Sequence, residues 1–172
     1  MLNIFVNTWG NYNEHGAEGG QWITLPMDAD ELTETLDRIA VAMGDPDPEW
    51  AIHDYEWITE IEPRDIGETE NIAELNEYIQ ALSELSEWGA KTYAAACEYW
   101  GGDYVDIEDI DEYSLYTDIT NDYDLGYYWA EESGCYRLEL PLSNYFDYEA
   151  FGRDIRLETD GGFTSLGWIE KR

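Results

Sequence analysis

At the start of the chain, Leu2, Ile4 and Val6 alternate with Asn3, Phe5 and Asn7, the period of two of a strand with a buried face. Gly10 to Gly20, rich in Gly and Asn, reads as a loop, and Gln21-Trp22-Ile23-Thr24-Leu25 as a second strand closed by Pro26. The period then lengthens. From Asp28, with Glu31 at capping-box spacing, Leu32, Leu36, Ile39 and Met43 recur at helical intervals until Gly44 and Asp45-Pro46 stop them. Trp50 to Tyr55 has the composition of a third strand. The expected N-terminal unit is therefore a three-stranded antiparallel sheet with one helix, bounded near Pro63.

Beyond Pro63 the pattern is helical. Asn71 stands where an N-cap would, and Ile72, Leu75, Ile79 and Leu82 form one apolar face, with Glu70, Glu74 and Glu77 off it. A second helix is expected from about Ser83 or Ser86 through Trp88, Tyr93, Ala96 and Tyr99 or Trp100, ended by Gly101-Gly102. Val105, Ile107 and Ile110 set among acidic residues predict a short helix with a narrow apolar edge. Asn121 or Asp122 starts another helix carrying Leu125, Tyr128 and Trp129, stopped by Ser133-Gly134. A short helical turn is expected between Pro141 and Tyr148. Asp154 to Glu158 and Phe163 to Glu170, around Asp160-Gly161-Gly162, read as a terminal hairpin. The fold class is α+β, in three small units over 1–62, 63–104 and 105–172, the central one acidic and helical.

Charge changes this picture most. The 172 residues hold 40 Asp and Glu against 8 Lys and Arg, a formal net charge of -32. Duplex DNA carries one charge per about 1.7 Å of axis, so the same charge lies along about 54 Å of duplex, roughly 16 base pairs. High charge alone also marks disordered tails, but 44% hydrophobic residues, with 8 Trp, 14 Tyr and 4 Phe, supply a core. Self-repulsion at this charge opposes folding, and it turns nucleic acid and anionic membranes away as partners. No apolar run approaches the ~18 residues of a membrane span, and no signal peptide opens the sequence, so the expected location is cytoplasmic.

Between Lys91 and Arg137 no basic residue interrupts the carboxylates. On a helix rising about 1.5 Å per residue, acids three or four positions apart recur every ~5 to 6 Å, a phosphate-like row. The candidate partner-binding residues are Glu70, Glu74, Glu77, Glu84, Glu87, Glu98, Asp103, Asp106, Glu108, Asp109, Asp111, Glu112, Asp118, Asp122 and Asp124. Five of the eight cations, Arg137, Arg153, Arg156, Lys171 and Arg172, fall late in the chain, where internal salt bridges or a subunit contact would use them. A salt-adapted acidic enzyme or a general acidic interaction protein is the alternative reading of the same charge.

Catalytic chemistry is not announced. His15 lies in the Gly-rich stretch and His53 in a strand, without metal-ligand spacing, and Cys97 and Cys135 read as reduced thiols. Asn121, Tyr123 and Leu125 occupy the places where a calcium loop needs acids, and neither GxxxxGK[ST] nor GxGxxG occurs. Forty carboxylates supply acid pairs at every separation, so a glycosidase-like pair carries no information. No catalytic residue, metal ligand or cofactor site is assigned.

One run is distinctive. Leu142-Ser143-Asn144-Tyr145-Phe146-Asp147-Tyr148-Glu149-Ala150-Phe151-Gly152-Arg153-Asp154-Ile155 resembles the signature of the ArdA antirestriction proteins. Ile4 to Asn13, Gly20 to Pro26 and His53 to Glu56 resemble that family in the same order, so the likeness spans nearly the whole chain. It implies a DNA mimic made by mobile genetic elements or phages that occupies the DNA-binding site of type I restriction-modification enzymes without catalysis. It also implies an elongated homodimer of N-terminal α+β, central helical and C-terminal α+β units, joined through the last.

Overall fold

The computed structural model of the chain describes residues 1–59, 62–136 and 142–172. Arg137 and Pro141, named above, lie outside the described residues. The fold is α+β, with two three-stranded antiparallel sheets among the described residues. Contacts divide the chain into two units, Met1–Ser86 and Glu87–Arg172.

In the first unit, strands β1 (Leu2–Thr8), β2 (Gln21–Leu25) and β3 (Trp50–Trp57) pair in the order β2-β1-β3. Between β1 and β2 comes helix α1 (Trp9–His15), and between β2 and β3 helix α2 (Ala29–Met43). Leu2, Ile4 and Val6 are fully buried, and the register against β3 shifts between Phe5 and Val6, which ends the strict alternation of β1. Asp28 caps α2 by accepting the Asp30 N–H, and Gly44 ends it in the left-handed conformation, φ 73°. Helix α3 (Ile72–Glu84), capped by Asn71, adds Ile72, Leu75 and Ile79 to the same core. Buried Asn76 ties α3 to the turn after β2: its Nδ2 donates to the Met27 carbonyl and its Oδ1 accepts the Met27 N–H, both at 2.9 Å. With both polar ends matched, the buried amide carries no unpaired group.

The Gly- and Asn-rich stretch expected as a loop contains α1 instead. Local polar bonds build it, since it buries none of its own residues. Thr8 accepts the Asn11 N–H as N-cap, and buried Asn7 accepts from the Thr8 N–H and Asn11 Nδ2 while donating to the Gly16 carbonyl.

The second unit begins with helix α4 (Glu87–Trp100), which buries Thr92, Tyr93, Ala95, Ala96 and Cys97. Its sheet runs β4-β6-β5, from strands β4 (Tyr113–Tyr116), β5 (Gly161–Thr164) and β6 (Gly167–Lys171). The two helices expected in 63–104 thus contribute to different cores, α3 to the first unit and α4 to the second. Helix α5 (Asp122–Tyr127) continues as a π-helical turn over Tyr128–Glu132, and helix α6 (Tyr148–Glu158) packs on α5. Ile119, Leu125 and Trp168 centre the core beneath, with Ile155 and Phe163 against it. Buried Glu170 accepts from Trp168 Nε1 at 2.8 Å and from the Tyr116 hydroxyl at 3.2 Å. Burial, then the Glu170 charge, pushes the Tyr116 phenol up to about 12.

The terminal hairpin needs a correction. Asp154 to Glu158 is the second half of α6, and the hairpin is β5 with β6, turning at Ser165-Leu166. Ile155 and Leu157 mimic strand alternation, but only Ile155 joins the core; Leu157 is 71% exposed. Asp147 begins the helix by accepting the Ala150 N–H at 3.0 Å. No helix among the described residues is long and apolar enough to cross a membrane.

Candidate functional site

The densest run of carboxylates lies on short 3₁₀ turns, Gly102–Tyr104 and Ile107–Glu112. Asp106 caps the second by accepting the Glu108 N–H at 3.1 Å. With three residues per turn, side chains at i and i+3 eclipse. Ile107 and Ile110 therefore share one half-buried row that leads into buried Tyr113. Asp106, Asp109 and Glu112 form a second row and Glu108 and Asp111 a third, all exposed. At about 2.0 Å rise per residue, these five carboxylates span about 12 Å, one per about 3 Å, against one phosphate per about 1.7 Å of duplex. Exposed Asp103 precedes them and exposed Asp118 follows β4.

On α3, Glu74, Glu77 and Glu84 are exposed within an arc of roughly 80°, opposite the face that buries Leu75 and Ile79. Gln80 Nε2 donates to Glu84 at 2.8 Å and Asn71 Nδ2 to Glu74 at 3.5 Å, which orients both carboxylates without removing their charge. At the start of α4, Glu87 pairs with Lys91 at 2.8 Å, and the lysine's hydrogen bond holds the carboxyl below its ordinary value.

Other members of the predicted set are held within the fold. Glu70 accepts two hydrogen bonds from Arg64, at 2.8 and 2.9 Å, and the Gly67 N–H at 2.6 Å. Burial works against its charge, but the Arg64 and Gly67 bonds outweigh burial and hold the carboxyl below its usual range. Asp122 pairs with Arg156 at 2.7 Å, and the bond lowers the acid and raises the base. Asp124 Oδ2 accepts from Thr120 and Asn121 at the start of α5. Glu98 holds the β5–β6 turn, its two oxygens accepting the Ser165 N–H at 2.7 Å and hydroxyl at 2.6 Å. Glu112 faces Lys171 at 3.1 Å, which leaves Glu108, Asp109 and Asp111 as the exposed carboxylates of their turn with no side-chain partner among the described contacts.

The late cations largely serve the fold, as Arg156 and Lys171 show. Arg153 lies 3.6 Å from neighbouring Asp154, with both side chains mostly exposed. The signature run is built the same way. Asp147 caps α6, Gly152 lies where the α6 backbone meets α5, and the Phe146 ring meets Tyr148 and Phe151 at 5.1 and 5.3 Å. The Tyr148 hydroxyl donates to Glu131 at 2.6 Å, and that bond heads the causes that push its phenol up to about 12. Asn144, Tyr145 and Glu149 stay exposed. His53 also has a packing place: its ring stacks on Tyr12 at 4.0 Å, and its Nδ1 lies 3.2 Å from Glu68.

A second acidic row escaped the sequence reading. Asp30, Glu34 and Asp37 sit at i, i+4 and i+7 on the exposed face of α2, within an arc of roughly 60°. Their spacing is present in the sequence, but it lies outside the cation-free stretch between Lys91 and Arg137 where carboxylates are densest.

Residues 4–170 match the family model described as Antirestriction protein (ArdA). No curated protein matches the chain.

Proposed function

The chain belongs to the ArdA family of antirestriction proteins, and from that membership we propose that it is a non-catalytic DNA mimic that occupies the DNA-binding channel of a type I restriction-modification enzyme. The observation that carries this reading is the eclipsed carboxylate pattern of 106–112, whose carboxylates follow one another at about half the linear density of duplex phosphates. Lysines and arginines of the channel would pair with Glu108, Asp109 and Asp111, and with the outer acids of α2 and α3, in place of phosphates. Long-range attraction from the net charge of -32 would speed encounter. Individual surface pairs are weak, so affinity is distributed over many of them.

The finer organisation belongs to the same proposal: a cytoplasmic homodimer with functional segments 1–62, 63–104 and 105–172, joined through the last. Tyr145 and Leu157, 86% and 71% exposed, are the most exposed large apolar side chains of that last segment among the described residues, and would serve that contact. Two copies would offer the charge of about 109 Å of duplex.

The deciding experiment titrates the purified protein into a complex of type I methyltransferase and labelled duplex at low ionic strength. Displacement of DNA, weakening as salt rises, is expected. Failure to displace it from several such enzymes would remove the reading.

A further inference from the structure

Within the second unit a cavity of about 470 Å³ opens between α5, its π-helical continuation and the start of α4. Trp88, Tyr123, Tyr127 and Tyr128 contribute to its walls, with Asp118 and Glu132 among them, and none of the described residues that line it is basic. We infer that this pocket receives an arginine side chain of the protein that the acidic surface binds, an assignment that rests on the function proposed above and adds an anchoring site to it.

The lining chemistry selects the guest. Trp88 and Tyr123 are 53% and 51% exposed and Tyr127 is 40%, so large rings that ordinarily supply core packing lie open together around one concavity. Tyr123 and Tyr127, one helical turn apart, lie within 13° of parallel, with ring centres 6.4 Å apart. Aromatic faces attract cations, and a planar guanidinium stacks on them where a hydrated ammonium does not. A neutral apolar guest would strip water from Asp118 and Glu132 without compensation, and an anion would be repelled. The two carboxylates differ from Asp124, which also lines the cavity but whose Oδ2 already accepts from Thr120 and Asn121. The volume falls within the ordinary range of small-ligand pockets, room for a guanidinium and its aliphatic stem. A protein surface shaped for DNA presents arginines, so the guest is of the class such a partner carries.

The test uses the full-length protein and N-acetyl-arginine amide as the probe, followed through the Trp indole and Tyr ring resonances. N-acetyl-lysine amide and neutral N-acetyl-citrulline amide serve as controls. Saturable shifts confined to the pocket rings are expected with the arginine probe. They should be at least about threefold weaker with lysine and absent with citrulline. Trp88→Ala and Asp118→Asn, each checked for an unchanged thermal transition, should each weaken the arginine titration by about tenfold. Shifts that never saturate, that are equal for arginine and lysine, or that survive both substitutions would overturn the assignment. If the protein displaces DNA from the enzyme but the arginine probe does not saturate, the pocket assignment falls and the mimic reading stands. If the probe saturates and no DNA is displaced, the mimic reading falls and the guanidinium site stands.

Discussion

Gly126 of α5 and Gly152 of α6 meet backbone to backbone. A Cβ added to Gly152 would stand 2.7 Å from the Gly126 nitrogen, and one added to Gly126 would stand 2.8 Å from the Gly152 nitrogen. Gly152→Ala must therefore push the helices apart, at a cost of about 1–3 kcal/mol. For a chain of 172 residues each kcal/mol lowers Tm by about 2–4 °C, so calorimetry should show a fall of several degrees. A wild-type Tm would mean that this crossing yields easily.

Glu108→Gln, Asp109→Asn and Asp111→Asn should each weaken competition with DNA less than about fivefold, and the triple variant by about tenfold or more. Its inhibition should also depend less steeply on salt. The triple variant should melt no lower than the wild type, because these side chains have no partner among the described contacts and their loss relieves repulsion. Abolition of inhibition by a single one of them, with the fold intact, would count against distributed binding.

Glu70 behaves in the opposite way. Its carboxyl is held below the ordinary value in the folded state, so the charge contributes stability that is fully present above the unfolded-state pKa, about 4.3. That contribution is lost as pH falls through the lower folded value. Glu70→Gln should cost about 1 kcal/mol at neutral pH, and the gap from wild type should close in denaturant titrations repeated progressively below about pH 4.3. A gap independent of pH would show that the Arg64 pair is not its source.

Cys97 is buried in α4 and Cys135 is exposed. A thiol reagent should modify one cysteine per chain promptly under native conditions and both after denaturation. Cys135→Ser should abolish the fast phase, and fast modification of both thiols in the folded wild type would contradict the placement of α4.

Elements that carry both a period and a stop were legible in the sequence. In α2 the apolar spacing agrees with the Asp28 cap and the left-handed Gly44, and in α3 the Asn71 cap precedes a clean apolar face. Elements stabilised by something outside their own pattern were not. Helix α1 rests on the side chains of Asn7 and Thr8, and β4 takes its place from β6, where Ser114 pairs with Glu170. Helix α6 was obscured by the accidental alternation of Ile155 and Leu157. The candidate acidic surface was legible as density of carboxylates, but which of them the fold itself engages was not. Nothing local distinguishes Glu98, which holds a turn, from Asp109, which does not, because the partner of Glu98 is Ser165.

Arg64, Lys91, Arg156 and Lys171 each lie beside a carboxylate of the same chain. That arrangement bears on where molecules of this protein would be found in a crowded cell. A basic DNA-binding protein is continually diverted by the roughly 10⁶–10⁹ non-specific sites of a genome. A chain with these cations paired at home and a net charge of -32 that repels phosphate would not be diverted in this way. On the function proposed above, the chromosome would act as an excluded volume instead of a sink, and the copies present would stay available to meet the enzyme.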